Sequence, residues 1–378
     1  MCTTNINGLA LFHRLLEVME QRAASDLHLS CHCYPTYRVG GELLADESLP
    51  EMDDERLQAI TQALLSEQRQ LQFAQQGSVD FSYGHQGTRF RINLYRERGG
   101  IAYAARMLDG AFHSLVSLRL PPQLERLTRQ HDGLVLITGA TGSGKSTTLA
   151  SLIDVINTQR RCHILTIEAP IEFIHCNKLS TVHQREVGED VPSFAQAIID
   201  AMREDPDVIL LGEMRDTETM KAALMAAETG HLVFATLHTN DAVGVIDRLV
   251  GAFPGNEQDG IRKQLSMVLR AVVTQRLIRA DIGEGGARIP INEILMVNSA
   301  IASLIRNHKP EQIRSLMETS RAMGNQTLEQ ALAERVRERL ISKELAMSYT
   351  SRTGNLQDLL RVMQNASREL LGEHQGVA

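Results

Sequence analysis

Between residues 133 and 238, short unbroken apolar runs alternate with longer segments of helical period: LVLITG, CHILTIE, DVILLGE and LVFATLHT. Each run has strand length, and continuous apolarity marks a strand buried on both faces. The segments between them are long enough for crossover helices, so the pattern predicts an α/β domain on a parallel sheet. The first 110 residues are patterned differently. Leu9 to Ala24 has a helical period. Strand-like stretches follow in DLHLSCHCYPTYRVGGEL and DFSYGHQGTRFRINLYRERGGIAYAARML, with glycine pairs at 40–41 and 99–100 placed for hairpin turns. Asp53 to Ala74 reads as helices rich in Leu and Gln. This predicts a small α+β domain over 1–110 and a linker over 111–122, where Pro121 and Pro122 interrupt any continuing element. The main domain is expected over 123–350. Past residue 256 it reads as mostly helical, with one loop and strand in DIGEGGARIPINEILMV. Residues 351–378 read as a helical C-terminal tail.

Composition narrows the function classes. A chain of 378 residues, 43% apolar, accommodates two or three domains with real cores. With 39 basic against 46 acidic residues, the formal charge is −7. That balance speaks against nonspecific nucleic-acid binding, which requires basic surface to neutralise phosphates. No apolar stretch approaches the ~18 residues needed to span a bilayer. The opening MCTTNINGLALFHRLLEVME lacks a basic n-region and reads as an amphipathic helix, not a signal peptide. Five scattered cysteines suit free thiols in a reducing cytoplasm. The CHC triplet at 31–33 raises a metal reading, but zinc sites use CxxC pairs and the chain has none, so it reads as a strand with small buried thiols.

The strongest chemical signal is LVLITGATGSGKSTTLASLI, a strand, a glycine-rich loop and an apolar helix in succession. Its loop runs Gly139, Ala140, Thr141, Gly142, Ser143, Gly144, Lys145, Ser146, Thr147. Glycines let successive backbone N–H groups face phosphate oxygens, and the helix adds its positive N-terminal end. Lys145 is assigned to the β- and γ-phosphate oxygens of ATP and Ser146 to Mg²⁺. Partner carboxylates belong at the C-terminal ends of neighbouring strands. DVILLGEMRD places Glu213 there, as the group on Mg²⁺ or its water. ILTIEAPIEF supplies Glu168 and Glu172 around Pro170, as candidates to orient or deprotonate the attacking water.

His231 and His238 bracket the run LVFATL, with Glu228 upstream. As strand residues seven apart, they are separated by about 23 Å and point to opposite faces, so they cannot share one metal ion. His238 falls at the strand's C-terminal end, where it can report the γ-phosphate. His231 reads as a packing or interface group.

In order and spacing, GATGSGKSTT, TIEAPIEF, REDPDVILLGEMRDTETM and AAETGHLVFATLHTNDA resemble the secretion ATPase superfamily, most of all the type IV pilus retraction ATPases of its PilT/PilU branch. ASDLHLSCHCYPTYRVGGEL and RFRINLYRERGGIAYAARML resemble that branch's small PAS-like domain. The resemblance spans roughly residues 9–345. It implies a homo-hexameric ring, each subunit a PAS-like domain flexibly joined to a RecA-like P-loop ATPase domain, with ATP bound between the two. It also implies Lys145 on phosphate, Glu213 in a modified Walker B motif, Glu172 as the catalytic glutamate of the acidic box, and His231 and His238 as the histidine box. Arg91 and Arg106 are implied to reach the nucleotide and stabilise transition-state charge. The implied partners are an inner-membrane pilus platform protein and a paralogous retraction ATPase, with no nucleic acid. The implied location is cytoplasmic, peripheral to the inner membrane.

The chain departs from the family pattern in two places. Ala169 stands where the acidic box carries Asp, which favours retuned hydrolysis. AIASLIRN at 300–307 replaces three polar or charged family residues with Ala302, Ser303 and Asn307, in a stretch associated with retraction. RSLMETSRAMGNQTLEQAL is nearer the PilU side, which suggests an accessory motor. The alternatives are an ATPase of a related secretion or conjugation system and a nucleotide-binding ring scaffold with weak hydrolysis.

Overall fold

The computed structural model describes residues 7–108, 110–282 and 286–372. Residues 1–6 of the opening segment (with Cys2), 283–285 of the glycine-rich loop and 373–378 of the expected tail lie outside the described residues. The chain divides into two compact units. The first comprises Met1–Ala111, Ile167–Cys176 and Gln184–Ala197; the second comprises Phe112–Thr166, Asn177–His183 and Ile198–Ala378.

The first unit opens with α1 (Gly8–Gln21), capped by the Asn7 side chain, which accepts from the Ala10 N–H. Its apolar stripe, Phe12, Leu15, Leu16 and Met19, is buried at helical spacing. Strands β1 (Asp26–Leu29), β2 (Thr36–Val39) and β3 (Glu42–Ala45) follow, then α2 (Asp54–Leu64), α3 (Glu67–Gln76), β4 (Ser78–His85), β5 (Thr88–Glu97) and β6 (Gly100–Leu108). The β2–β3 hairpin turns on Gly40 and Gly41, at φ 60° and 96°, the positive values a two-residue turn demands. The strands form an antiparallel sheet of order β3-β2-β1-β6-β5-β4. Its core gathers Phe12, Leu27, Tyr37, Phe81, Phe90 and Tyr103. The CHC triplet is a turn, not a strand with buried thiols: β1 ends at Leu29, His32 has φ 57° and Cys33 is exposed. The chain must reverse there to bring β2 antiparallel to β1.

The remaining elements are β7 (Gly133–Thr138), α4 (Lys145–Gln159), β8 (His163–Glu168), β9 (Thr181–Glu186), α5 (Phe194–Ala201), β10 (Val208–Leu211), α6 (Thr217–Glu228), β11 (Leu232–Leu237), α7 (Gly244–Gly251), α8 (Gly255–Val268), β12 (Leu269–Arg279), β13 (Arg288–Met296), α9 (Ser299–Arg306), α10 (Pro310–Thr319), α11 (Leu328–Arg337), α12 (Lys343–Ser348) and α13 (Thr353–Gly372). The strands form a sheet of order β13-β12-β7-β11-β10-β8-β9. Strands β12, β7, β11 and β10 are mutually parallel, and β13 is antiparallel to β12. Every residue of β7, β10 and β11 is buried, as their unbroken apolar runs predict. A RecA-like α/β domain and a small α+β domain are therefore the fold.

One expectation fails. The region past residue 256 is not mostly helical at LRAVVTQRLIR, which is the eleven-residue strand β12. Its apolar residues are also spaced as on a helix. However, Val272, Val273 and Thr274 are β-branched, and Ala271 to Gln275 are all buried, which suits a strand covered on both faces. Strand β9 is likewise unmarked by any apolar run. Helix α13 buries Leu356 and Leu360 against Ile278, Ile289 and Leu332, in a second apolar cluster built on β12 and β13. Among the described residues, no helix is long and apolar enough to cross a membrane.

Candidate functional site

The loop from Gly139 to Gly144 joins β7 to α4. Gly139, Gly142 and Gly144 have φ 143°, 77° and 85°, values that L side chains rarely adopt. A Cβ on Gly139 would lie 2.3 Å from the Gln275 carbonyl oxygen and 2.6 Å from Ser143 Oγ. A Cβ on Gly144 would lie 2.7 Å from the Gln275 amide nitrogen. The loop is therefore wound tightly against β12 and has no room for side chains at Gly139 and Gly144.

Gln275 is the brace. Its Nε2 donates to the Ser143 carbonyl at 2.7 Å. Its Oε1 accepts from Thr148 Oγ1 in the first turns of α4 at 2.8 Å and from Asn292 Nδ2 on β13 at 3.1 Å. All four residues are buried. Gln275→Leu leaves the Ser143 carbonyl, the Thr148 hydroxyl and the Asn292 amide short of a partner. The expected loss is at least about 1–3 kcal/mol of stability, together with weaker ATP binding. Calorimetric unfolding and nucleotide titration of the variant check this.

Lys145 Nζ donates to the carbonyls of Gly139 and Ala140, each at 2.9 Å, so its ammonium sits over the loop. Ser143 Oγ is buried there without a hydrogen bond. Ala140, Thr141, Gly142 and Ser146 are exposed, while Lys145 and Thr147 are half-buried. The close-wound glycines, the cation and the N-terminus of α4 fit a polyphosphate. The Ser146 hydroxyl and the Glu213 carboxylate are hard oxygen donors that fit Mg²⁺.

Leu237 pairs with Thr138 and Ala235 with Leu211, so β7, β11 and β10 end along one edge. Three site elements thereby share that edge: the glycine loop, His238 after β11, and Glu213 after β10. Thr236 Oγ1 donates to the Gly212 carbonyl, and the Met214 N–H donates to Thr236 O at 3.0 Å, which pins the Gly212–Met214 turn. Glu213 faces His238 Nε2 at 3.6 Å and Arg215 Nε at 2.6 Å. His231 lies at the other end of β11, with Nδ1 2.9 Å from the Ala226 carbonyl and 3.2 Å from Thr229 Oγ1.

Glu168, Glu172, Arg91 and Arg106 belong to the first unit. Arg91 and Arg106 are cross-strand neighbours on β5 and β6. Arg91 donates from Nε to Asp80 at 3.0 Å, and its Nη1 lies 4.0 Å from Glu172. Arg106 Nε holds Asp26 at 2.7 Å. Burial would raise the Asp26 carboxyl, but hydrogen bonds from Ser25 and Arg106 outweigh it and keep the group below the usual carboxylate range. Glu168 accepts from Gln184 Nε2 at 3.2 Å. Three groups that contact Ile171 directly or through one another escape a sequence reading: Arg69, Arg89 and Glu186. Arg69 Nη2 and Ser82 Oγ donate to Glu186 at 2.6 and 2.7 Å, and Arg89 Nη2 donates to the Ile171 carbonyl at 2.8 Å. Burial draws the Arg89 guanidinium down from its usual value, while the charges of Glu186 and Glu168 oppose the shift.

Residues 75–366 match the family described as Type II/IV secretion system protein. The chain is 44% identical over 315 residues to a twitching motility protein of Neisseria gonorrhoeae, covering 83% of each. It is 41% identical to the type IV pilus retraction ATPase PilT of Pseudomonas aeruginosa, covering 88% of this chain and 96% of that one. With PilU of the same organism, identity is 34%, over 93% and 91%. Among solved structures, the pilus retraction motor PilT with bound ADP superposes with a TM-score of 0.83 at 42% identity, covering 92% of this chain and 98% of that one. The Legionella pneumophila ATPase DotB follows the same fold with a TM-score of 0.80 at 28% identity, covering 91% and 95%. A glycine-rich loop on a RecA-like sheet, in a chain similar to retraction ATPases over nearly its full length, places this protein in the type II/IV secretion ATPase family, among the type IV pilus retraction ATPases.

Proposed function

We propose that this protein is a hexameric ATP-hydrolysing motor that drives retraction of a type IV pilus. The observation that carries the proposal is the meeting of the 139–147 loop, Glu213 and His238 along one edge of parallel strands. Backbone N–H groups from Gly139 to Gly144 receive the phosphates, Lys145 neutralises the β- and γ-oxygens, and Thr147 extends the cradle into α4. Ser146 and Glu213 would hold Mg²⁺, which would offset phosphate charge when bound. Glu172 takes a proton from, or orients, the attacking water, and Glu168 supports it. Arg91 and Arg106 counter the charge that develops in the transition state. His238, in contact with Glu213, reports whether the γ-phosphate is present.

The motor's work comes from the different affinities of its conformations for ATP and ADP. Its partners are further copies of the chain, the inner-membrane platform protein and a paralogous retraction ATPase, met at the cytoplasmic face of the membrane. Deleting the gene tests the proposal. Hyperpiliation with loss of twitching, reversed by the wild-type gene and not by a Lys145→Ala allele, is the expected result. Twitching that persists with reduced force assigns the accessory role. Unchanged pilus number and motility refute the proposal.

A further inference from the structure

The Ile171 backbone, one residue before Glu172, is held on both sides by an acidic and a basic side chain. Its N–H donates to Glu186 Oε2 at 3.1 Å, and its carbonyl accepts from Arg89 Nη2 at 2.8 Å. Ser82 Oγ closes the ring, accepting from Arg89 Nη2 and donating to Glu186 Oε2, both at 2.7 Å. Glu186 is in turn fixed by Arg69 at 2.6 Å, whose guanidinium lies 4.9 Å from the centre of the Phe81 ring. The Glu186 N–H donates to Asp190 at 2.7 Å. Glu186 and Ile171 are both buried, at 5% and 8% exposure.

We infer that Glu186 and Arg89 are positioning residues for hydrolysis: by clamping the Ile171 peptide, they fix the backbone that presents the Glu172 carboxylate. A buried ion-pair cluster contributes little net stability, because desolvating the charges offsets their attraction. Its hydrogen bonds are charge-assisted and directional, which suits it to fixing geometry. Misplacing a reacting group by about 1 Å costs on the order of 100-fold in rate, so a rigid peptide beside the general base has a direct kinetic value. The inference rests on the assignment of Glu172 made above.

The test uses the full-length chain with Arg89→Ala, Arg89→Lys, Glu186→Ala and Glu186→Gln, alone and combined with Glu172→Ala. The measurements are kcat and KM for Mg-ATP and hydrogen exchange at the Ile171 amide. Both alanine variants are expected to lower kcat by about tenfold or more while KM stays within about twofold. Glu186→Gln, which still offers an acceptor to the Ile171 N–H, should keep most of kcat, whereas Arg89→Lys cannot span both acceptors and should not. The Ile171 amide should exchange at least about tenfold faster in Glu186→Ala. In the Glu172→Ala background, Arg89→Ala should cause no further loss. Wild-type kcat in both alanine variants, with Glu172→Ala inactive, overturns the clamp. An equal loss in the Glu172→Ala background overturns it as well, because the effect would not run through Glu172. Wild-type turnover by Glu172→Ala is a separate failure: it removes the role of Glu172 itself, and with it the clamp's object.

Discussion

Lys145→Ala protein is expected to hydrolyse ATP at least about 100-fold more slowly than wild type while remaining folded. The two parts of that expectation come from different features. Lys145 donates to the carbonyls of Gly139 and Ala140 at the solvent-facing mouth of the loop, where water can take over both acceptors when the side chain is truncated. The loop's shape is set by Gly139, Gly144 and the Gln275 brace, which the substitution does not touch. What is lost is the cation proposed to meet the β- and γ-phosphates, at the point where charge changes most during transfer. Phosphate release at saturating Mg-ATP, a fluorescent-nucleotide titration and a melting curve together check the prediction. Unchanged turnover refutes the phosphate-loop assignment, and a collapsed melting curve refutes the claim that Lys145 is structurally dispensable.

The second large effect belongs to Glu172→Gln. A general base contributes about 10²–10⁴-fold, so kcat should fall within that range while ATP affinity is retained. Glutamine preserves the size and hydrogen-bonding reach of the side chain and removes only its basicity. The Glu172 carboxylate is 30% exposed and lies 4.0 Å from Arg91, so little packing is disturbed. Ala169 sharpens the expectation. With no carboxylate at that position, the acid left beside Glu172 in residues 168–172 is Glu168, which accepts from Gln184 Nε2 at 3.2 Å. Single-turnover hydrolysis with measured nucleotide affinity separates the two quantities. A loss of affinity matched to the loss of rate would show that Glu172 binds ATP and does not act on water.

The features legible in the sequence are local ones. The glycine loop shows itself because its chemistry requires particular residues within nine consecutive positions. Strands β7, β8, β10 and β11 show themselves because a short apolar run bounded by turn residues is what a strand buried on both faces requires. The two histidines separate cleanly because seven is odd and strand side chains alternate. Gln275 is hidden because the apolar spacing of its strand also fits a helix. The signal that marks it is the polar pair Thr274–Gln275 within a β-branched apolar run, a buried polar function in a strand interior. Glu186 leaves no signal at all. Its contacts with Arg69 and Ser82 join residues 117 and 104 positions apart, and no spacing rule reaches that far. For the same reason, nothing in the residue pattern announces that 167–176 and 184–197 cluster with the first unit.

That clustering joins segments made at different times on the ribosome. The apolar core of the first unit is drawn from residues between Leu11 and Met107. Ile171 and Glu186, the partners of Arg69, Ser82 and Arg89, lie far downstream. At ~5–20 residues per second, seconds pass on the ribosome between completion of that core and emergence of the residues that occupy its charged face. Until then the nascent chain lacks the partners that Ile171 and Glu186 supply to Arg69, Ser82 and Arg89. The segments carrying Glu172 and Glu186 are therefore the last-made parts of the first unit, and their contacts with Arg69, Ser82 and Arg89 form only after both have been synthesised.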